Sequence, residues 1–101
     1  MKQKPLRDIL DNMFINDVAL ELSRAEKLHP KMHSLHEAFA VILEEVDEFK
    51  AEVWKKDSER DGDKIRAELI QIAAMAWRAA RDMGVEERGV NAGAFNKGDS
   101  K

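Results

Sequence analysis

The sequence predicts an all-α domain, and three observations predict it. Apolar residues recur at spacings of three and four over long stretches, the 101 residues include only five Gly and two Pro, and no stretch alternates apolar and polar residues as a half-buried strand does. Residues suited to helix caps stand where the periodic runs begin and end. No internal repeat is present. A chain of this length forms one domain near the lower end of what buries a self-sufficient core, which favours association with further copies.

Taken in order, Pro5 to Asn12 reads as a short N-terminal helix within an arm of residues 1–15, proline being tolerated in a first turn. The helical domain proper, residues 16–84, opens at Asn16 as N-cap. Its first helix sets Val18, Leu22 and Ala25 on one face and ends at His29-Pro30. Ser34 followed three residues later by Glu37 is a capping box, and it starts a second helix running to about Lys56. Phe39, Ile42, Val46, Phe49 and Val53 form a seam directed at the core, with Phe39 as a core residue. Leu43 and Trp54 widen that seam into an arc that calls for more than one helical neighbour. The polar stretch "KKDSERDGDK" then connects, with Gly62 as breaker and Asp61 or Asp63 as the next N-cap. The third helix, residues 63–83, is apolar nearly all round between Leu69 and Trp77, the mark of the most buried element, and Gly84 ends it. Residues 85–101, rich in Gly and polar side chains, read as a flexible tail.

Composition removes several function classes. Without cysteine there is no disulfide, no thiolate nucleophile and no thiolate zinc site, so a metal must be held by oxygen or imidazole. A net charge of −3 gives no basic face for a nucleic-acid polymer, although a free nucleotide can still bind through a bridging cation. No apolar run is long enough for a signal peptide or a membrane span, so a cytoplasmic location without membrane partners is expected. His29, His33 and His36 surround a proline-containing loop and a helix cap without a helical H-x₃-H pair, which argues against a zinc site.

The acids are the anomaly. "ILEEVDEFKAEV" puts five carboxylates in twelve helical residues, with Glu44, Glu48 and Glu52 four apart, where like charges cost a few tenths of a kcal/mol per pair. At about 100° per residue, these and Glu45 fall in an arc of roughly 100° that borders the core edge. On the third helix, Glu68 stands in the middle of a stripe of Ile65, Ile72, Met75, Ala79 and Met83. A lone buried carboxylate costs several kcal/mol or takes up a proton, so Glu68 needs a partner. That partner is either a cation such as Lys64 or an arginine, or a divalent ion shared with the acids of the second helix. Ligation by oxygen alone suits Mg²⁺, with Mn²⁺ as the alternative.

"EEVDE", Glu44 to Glu48, fits an EExxE motif, and "AELIQ" about twenty residues later supplies the Glu of an ExxD motif at Glu68. In order, spacing and helical setting, from about Asp17 to Met83, the chain resembles the MazG-like all-α nucleoside triphosphate pyrophosphohydrolases. The resemblance implies a MazG-like helical bundle in which three main helices per chain complete four-helix-type bundles in a homodimer or homotetramer. It also implies Mg²⁺-dependent hydrolysis of a nucleoside or deoxynucleoside triphosphate to the monophosphate and pyrophosphate. Carried over by position, Glu45, Glu48 and Glu68 become metal ligands, and Glu44 with Glu45 supplies the catalytic carboxylates. Where the motif ends in Asp, this chain has Gln71, which offers a carbonyl oxygen but no charge. That departure keeps a second class open, a non-catalytic helical nucleotide-binding or assembly protein with a degenerate metal site. Arg24 and Lys27 are candidates for phosphate contact and Trp54 for stacking on a base, and nothing in the sequence selects the base.

Overall fold

A computed structural model describes residues 5–90, and among them the chain is helical without strands. Helix α1 spans Leu6–Leu28, α2 spans Leu35–Val53 and α3 spans Gly62–Asp82, with a 3₁₀ turn at Asp57–Glu59 between the last two. The expected break before Asn16 is absent. No Gly or Pro interrupts residues 6–28, so Asn12 and Asn16 are carried through and α1 is continuous. The tail reading falls largely on residues 91–101, which lie outside the described residues.

Local chemistry sets the helix ends. Ser34 Oγ accepts from the Glu37 N–H at 3.0 Å, while the Glu37 carboxylate accepts from the His33 N–H at 2.7 Å, so the capping box closes one residue further out than the usual reciprocal pair. Asp61 caps α3 by accepting from the Asp63 and Lys64 N–H groups, and Gly62 begins the helix rather than breaking it. At the other end Gly84, at φ +76°, lets the Val85 N–H reach the Ala80 carbonyl and its own N–H reach that of Arg81, the two bonds of a Schellman motif.

Helix α3 is the spine. It packs against α1 on one side and α2 on the other, and no Cα of α1 comes within 8 Å of α2 among the described residues. Val18, Leu22 and Ala25 of α1 close on Ala74 and Met75, with Ala74 fully buried. Ala38 of α2 and Met32 of the preceding loop close on Ala79 and Met83. These small contact residues let the helices approach closely. The predicted α2 seam needs correcting: Phe39 is 66% exposed and Val46 is also exposed, while Ala38, Val41 and Ile42 face the core. Helix α2 has apolar residues on two sides but only one helical neighbour among the described residues, and α3 takes the side that carries Ala38.

Arg78 ties the α1–α2 connection to this spine. Nearly fully buried, it donates to the Pro30 carbonyl at 2.8 Å and lies 3.9 Å from Asp82, whose carboxylate accepts from the Met32 N–H at 2.9 Å. A buried guanidinium is stable only with such partners.

Candidate metal centre

Where α2 and α3 run side by side, carboxylate oxygens of Glu45, Glu48 and Glu68 lie within 4.8 Å of one another, the one such group of potential metal ligands among the described residues. Glu45 and Glu48 are three apart and so share a face of α2; Glu68 projects to meet them from α3. Glu68 retains only 9% exposure, and neither Lys64 nor any arginine pairs with it among the described residues. Burial pushes the Glu45 carboxyl above its ordinary value, and the neighbouring charges of Glu48, Glu68, Glu44 and Glu21 push it the same way.

The donor set fits a hard divalent cation. All three groups offer oxygen, their charges sum to more than one ion requires, and one is buried without a counter-charge among the described residues. Opposite oxygens around one octahedral Mg²⁺ are about 4 Å apart, so the 4.8 Å spread closes with small side-chain rotations.

The remaining acids of the α2 row separate. Glu52, 1% exposed, is drawn to the start of α3: Lys55 Nζ lies 2.9 Å from one carboxylate oxygen and the Asp61 N–H donates to the other at 3.1 Å. The lysine holds Glu52 below the usual carboxylate range, and the Asp61 N–H adds to the effect. The Lys55 contact has the length of an ion pair without hydrogen-bond geometry. Glu52 is thus a link between α2 and α3, not part of the cluster.

Glu44 lines a cleft of about 310 Å³ that opens where α1 and α2 diverge over α3. Glu45 and Gln71 share its wall, with Glu21, Arg24 and Arg78. A larger depression of about 590 Å³ beside Phe14 and Arg66 contains none of the clustered acids; chemistry, not size, selects the smaller one. Arg24 sits in the acid-lined cleft, but its guanidinium is engaged by Glu21 at 2.7 and 3.0 Å. That pairing depresses the Glu21 carboxyl, with Gln71 assisting.

The other expected substrate contacts are elsewhere. Lys27 is exposed near the end of α1 and does not line the cleft. Trp54, 75% exposed, caps the far end of α2 with Lys50 Nζ 5.8 Å from its ring centroid. Sequence reasoning missed Glu21 and Arg78. Each left a signal: Glu21 borders the buried face of Val18, Leu22 and Ala25, and Arg78 stands among Ala and Met on the most buried helix.

Comparisons with protein-family models, with curated proteins and with solved structures return no match.

Proposed function

We propose that this protein is a Mg²⁺-dependent nucleotide pyrophosphohydrolase of the MazG-like kind, converting a nucleoside or deoxynucleoside triphosphate to the monophosphate and pyrophosphate. The observation that carries the reading is the convergence of Glu45, Glu48 and Glu68 within 4.8 Å, with Glu68 buried and without a cationic partner among the described residues. In this reading those three carboxylates hold the cation, Mn²⁺ being able to replace Mg²⁺. When bound, the ion would neutralise phosphate oxygens and make a water more acidic. In the same reading Glu44, which lines the cleft, accepts a proton from the attacking water, and Glu45 belongs to both the cluster and the cleft wall. Arg24 reaches phosphate only by exchanging Glu21 for it, since the two are already bonded. The active species is a homodimer or homotetramer in the cytoplasm.

Gln71 supports a second reading, a helical binding or assembly protein with a weakened cation site, because it faces Glu21 and brings no charge to the cleft. Detection of pyrophosphate after incubation with each NTP and dNTP plus Mg²⁺ separates the two. The enzyme reading expects release that disappears in Glu48→Gln and Glu68→Gln, and release from none of the substrates would overturn it.

A further inference from the structure

On the α1 wall of the cleft an acid stands under an arginine. Glu21 and Arg24, one turn apart on α1, are joined through both carboxylate oxygens at 2.7 and 3.0 Å. On an open helix surface such a pair contributes little. Here the two members are placed differently: the Glu21 side chain is 14% exposed, while that of Arg24 is 59% exposed. The carboxylate is the inner partner and the guanidinium its cover.

Contacts between helices fix the level at which Glu21 stands. Asp17 pairs with Arg66 at 2.8 Å and Glu26 with Arg81 at 3.1 Å, so α1 runs parallel to α3, and Glu21, between the two bridges, stands near the level of Gln71. Helix α2 runs the other way, with Glu52 at Asp61 and Ala38 at Ala79, which brings Glu45 to the same level. Glu21, Gln71 and Glu45 accordingly line one cleft. The Glu45 carboxyl, raised first by its burial, is raised further by neighbouring acids, and Glu21 is one of them. Of the two arginines that line the cleft, Arg78 is buried and donates to the Pro30 carbonyl, whereas Arg24 has open solvent to swing into.

We propose that Glu21 is a further cation ligand of this centre, kept from it by Arg24 until a phosphate group draws Arg24 away. The inference rests on the metal centre proposed above, whose Glu68 is buried without a cationic partner among the described residues. While Arg24 holds both Glu21 oxygens, neither is free to ligate. A phosphate offers the same guanidinium two oxygens in the same forked geometry. Glu21 then faces the acids of α2 without its counter-charge, a repulsion that a shared cation relieves. Both partners exchange together, Arg24 passing to the anion and Glu21 to the cation, so each binding event favours the other. The cleft therefore takes a divalent cation together with a phosphate in preference to either alone.

Titration calorimetry on the full chain tests the exchange, with Mn²⁺ alone as one probe and inorganic pyrophosphate in EDTA as the other. Arg24→Met is expected to bind Mn²⁺ about tenfold more tightly than the wild type, because Glu21 is freed. Glu21→Gln is expected to weaken Mn²⁺ binding about tenfold in the Arg24→Met background and to leave it nearly unchanged in the wild type, where Arg24 already holds the carboxylate. In EDTA, Glu21→Gln is expected to bind pyrophosphate about tenfold more tightly than the wild type, and to lose that gain when Arg24→Met is added. Helical circular dichroism is expected to be kept in each variant. Equal weakening of Mn²⁺ binding by Glu21→Gln in both backgrounds would reveal only the field of a distant charge and would overturn the proposal. So would equal Mn²⁺ affinity in Arg24→Met and wild type, or equal pyrophosphate affinity in Glu21→Gln and wild type. Glu68→Gln separates this failure from that of the centre itself: Mn²⁺ binding lost in Glu68→Gln but indifferent to Arg24→Met removes only the role of Glu21. A wild type that binds no Mn²⁺, or binds it no better than Glu68→Gln, removes the centre and this inference with it.

Discussion

Replacing Glu68 by Gln keeps the shape of the side chain and removes one charge from a cluster of three. Two unit charges 4.8 Å apart repel by about 3.5 kcal/mol at an effective dielectric constant of 20. Exposure of Glu48 and the raised affinity of Glu45 for a proton reduce what is relieved, leaving a gain of about 1–3 kcal/mol for the metal-free variant. For a domain of about 100 residues 1 kcal/mol moves the midpoint by about 5 °C. In EDTA at low salt, Glu68→Gln is therefore expected to melt about 5–15 °C above the wild type. With Mg²⁺ at ten times its dissociation constant the wild type gains about 1.4 kcal/mol, since the ion binds only the native state, while the variant stays where it was. Scanning calorimetry with and without Mg²⁺ measures both effects. A variant that melts below the wild type in EDTA, or that rises equally with Mg²⁺, refutes the reasoning, because Glu68 would then be held by something other than a shared cation.

Gln71→Asp restores charge to the cleft wall beside Glu45, and titration calorimetry is expected to show Mg²⁺ bound about tenfold more tightly, equivalent to about 1.4 kcal/mol. Arg78→Met keeps volume but leaves the Pro30 carbonyl and Asp82 without their buried cation, which should cost about 3 kcal/mol in urea unfolding. Gly84→Ala forces a Cβ into φ +76° and should cost about 1 kcal/mol, read in the same experiment, although open space surrounds the site. The pH dependence carries opposite signs at two places. The folded Glu45 carboxyl titrates above its ordinary 4.5, so its contribution is present below that value and lost as pH rises through the raised one; metal-free Glu45→Gln should gain on the wild type as pH goes from 4 to 7. Glu86 is held low, first by the Trp77 indole N–H at 2.7 Å and then by Arg81, so its contribution is present above 4.5 and lost as pH falls; Glu86→Gln should melt below the wild type at pH 7 and approach it in acid.

Helix ends were legible in the sequence wherever capping chemistry is local: Ser34, Asp61 and Gly84 each act within four residues of themselves. Glu68 was legible because an acid inside an apolar stripe demands a partner, and the row on α2 offered four acids, of which Glu45 and Glu48 meet it. The side of α2 that would be buried was not legible. Periodicity finds a stripe but not its cover, so Phe39 and Val46 were assigned to a core that α3 builds instead on Ala38. The dispersal of the α2 row was equally hidden, since only the turn at residues 57–61 brings Lys55 and the Asp61 N–H to Glu52.

The position of the acids between α2 and α3 explains how a three-residue repulsion persists in so small a domain. On one side of the cluster, two to three turns along α2, Ala38 packs with Met32, Ala79 and Met83 out of water. On the other side, one turn along, Glu52 grips the start of α3 through the Asp61 N–H. Two attractive contacts thus bracket Glu45, Glu48 and Glu68 and hold the helices at a separation that the acids alone would increase. Of the two, the Glu52 link is polar and short, so weakening it should loosen α2 at that end first and spread the three clustered carboxylates. Glu52→Gln is accordingly expected to lower cation affinity without altering any of the proposed ligands, with Glu48→Gln as the comparison that removes a proposed ligand and leaves the bracket intact. Equal affinity in Glu52→Gln and wild type would mean that the apolar contact at Ala38 suffices to set the spacing.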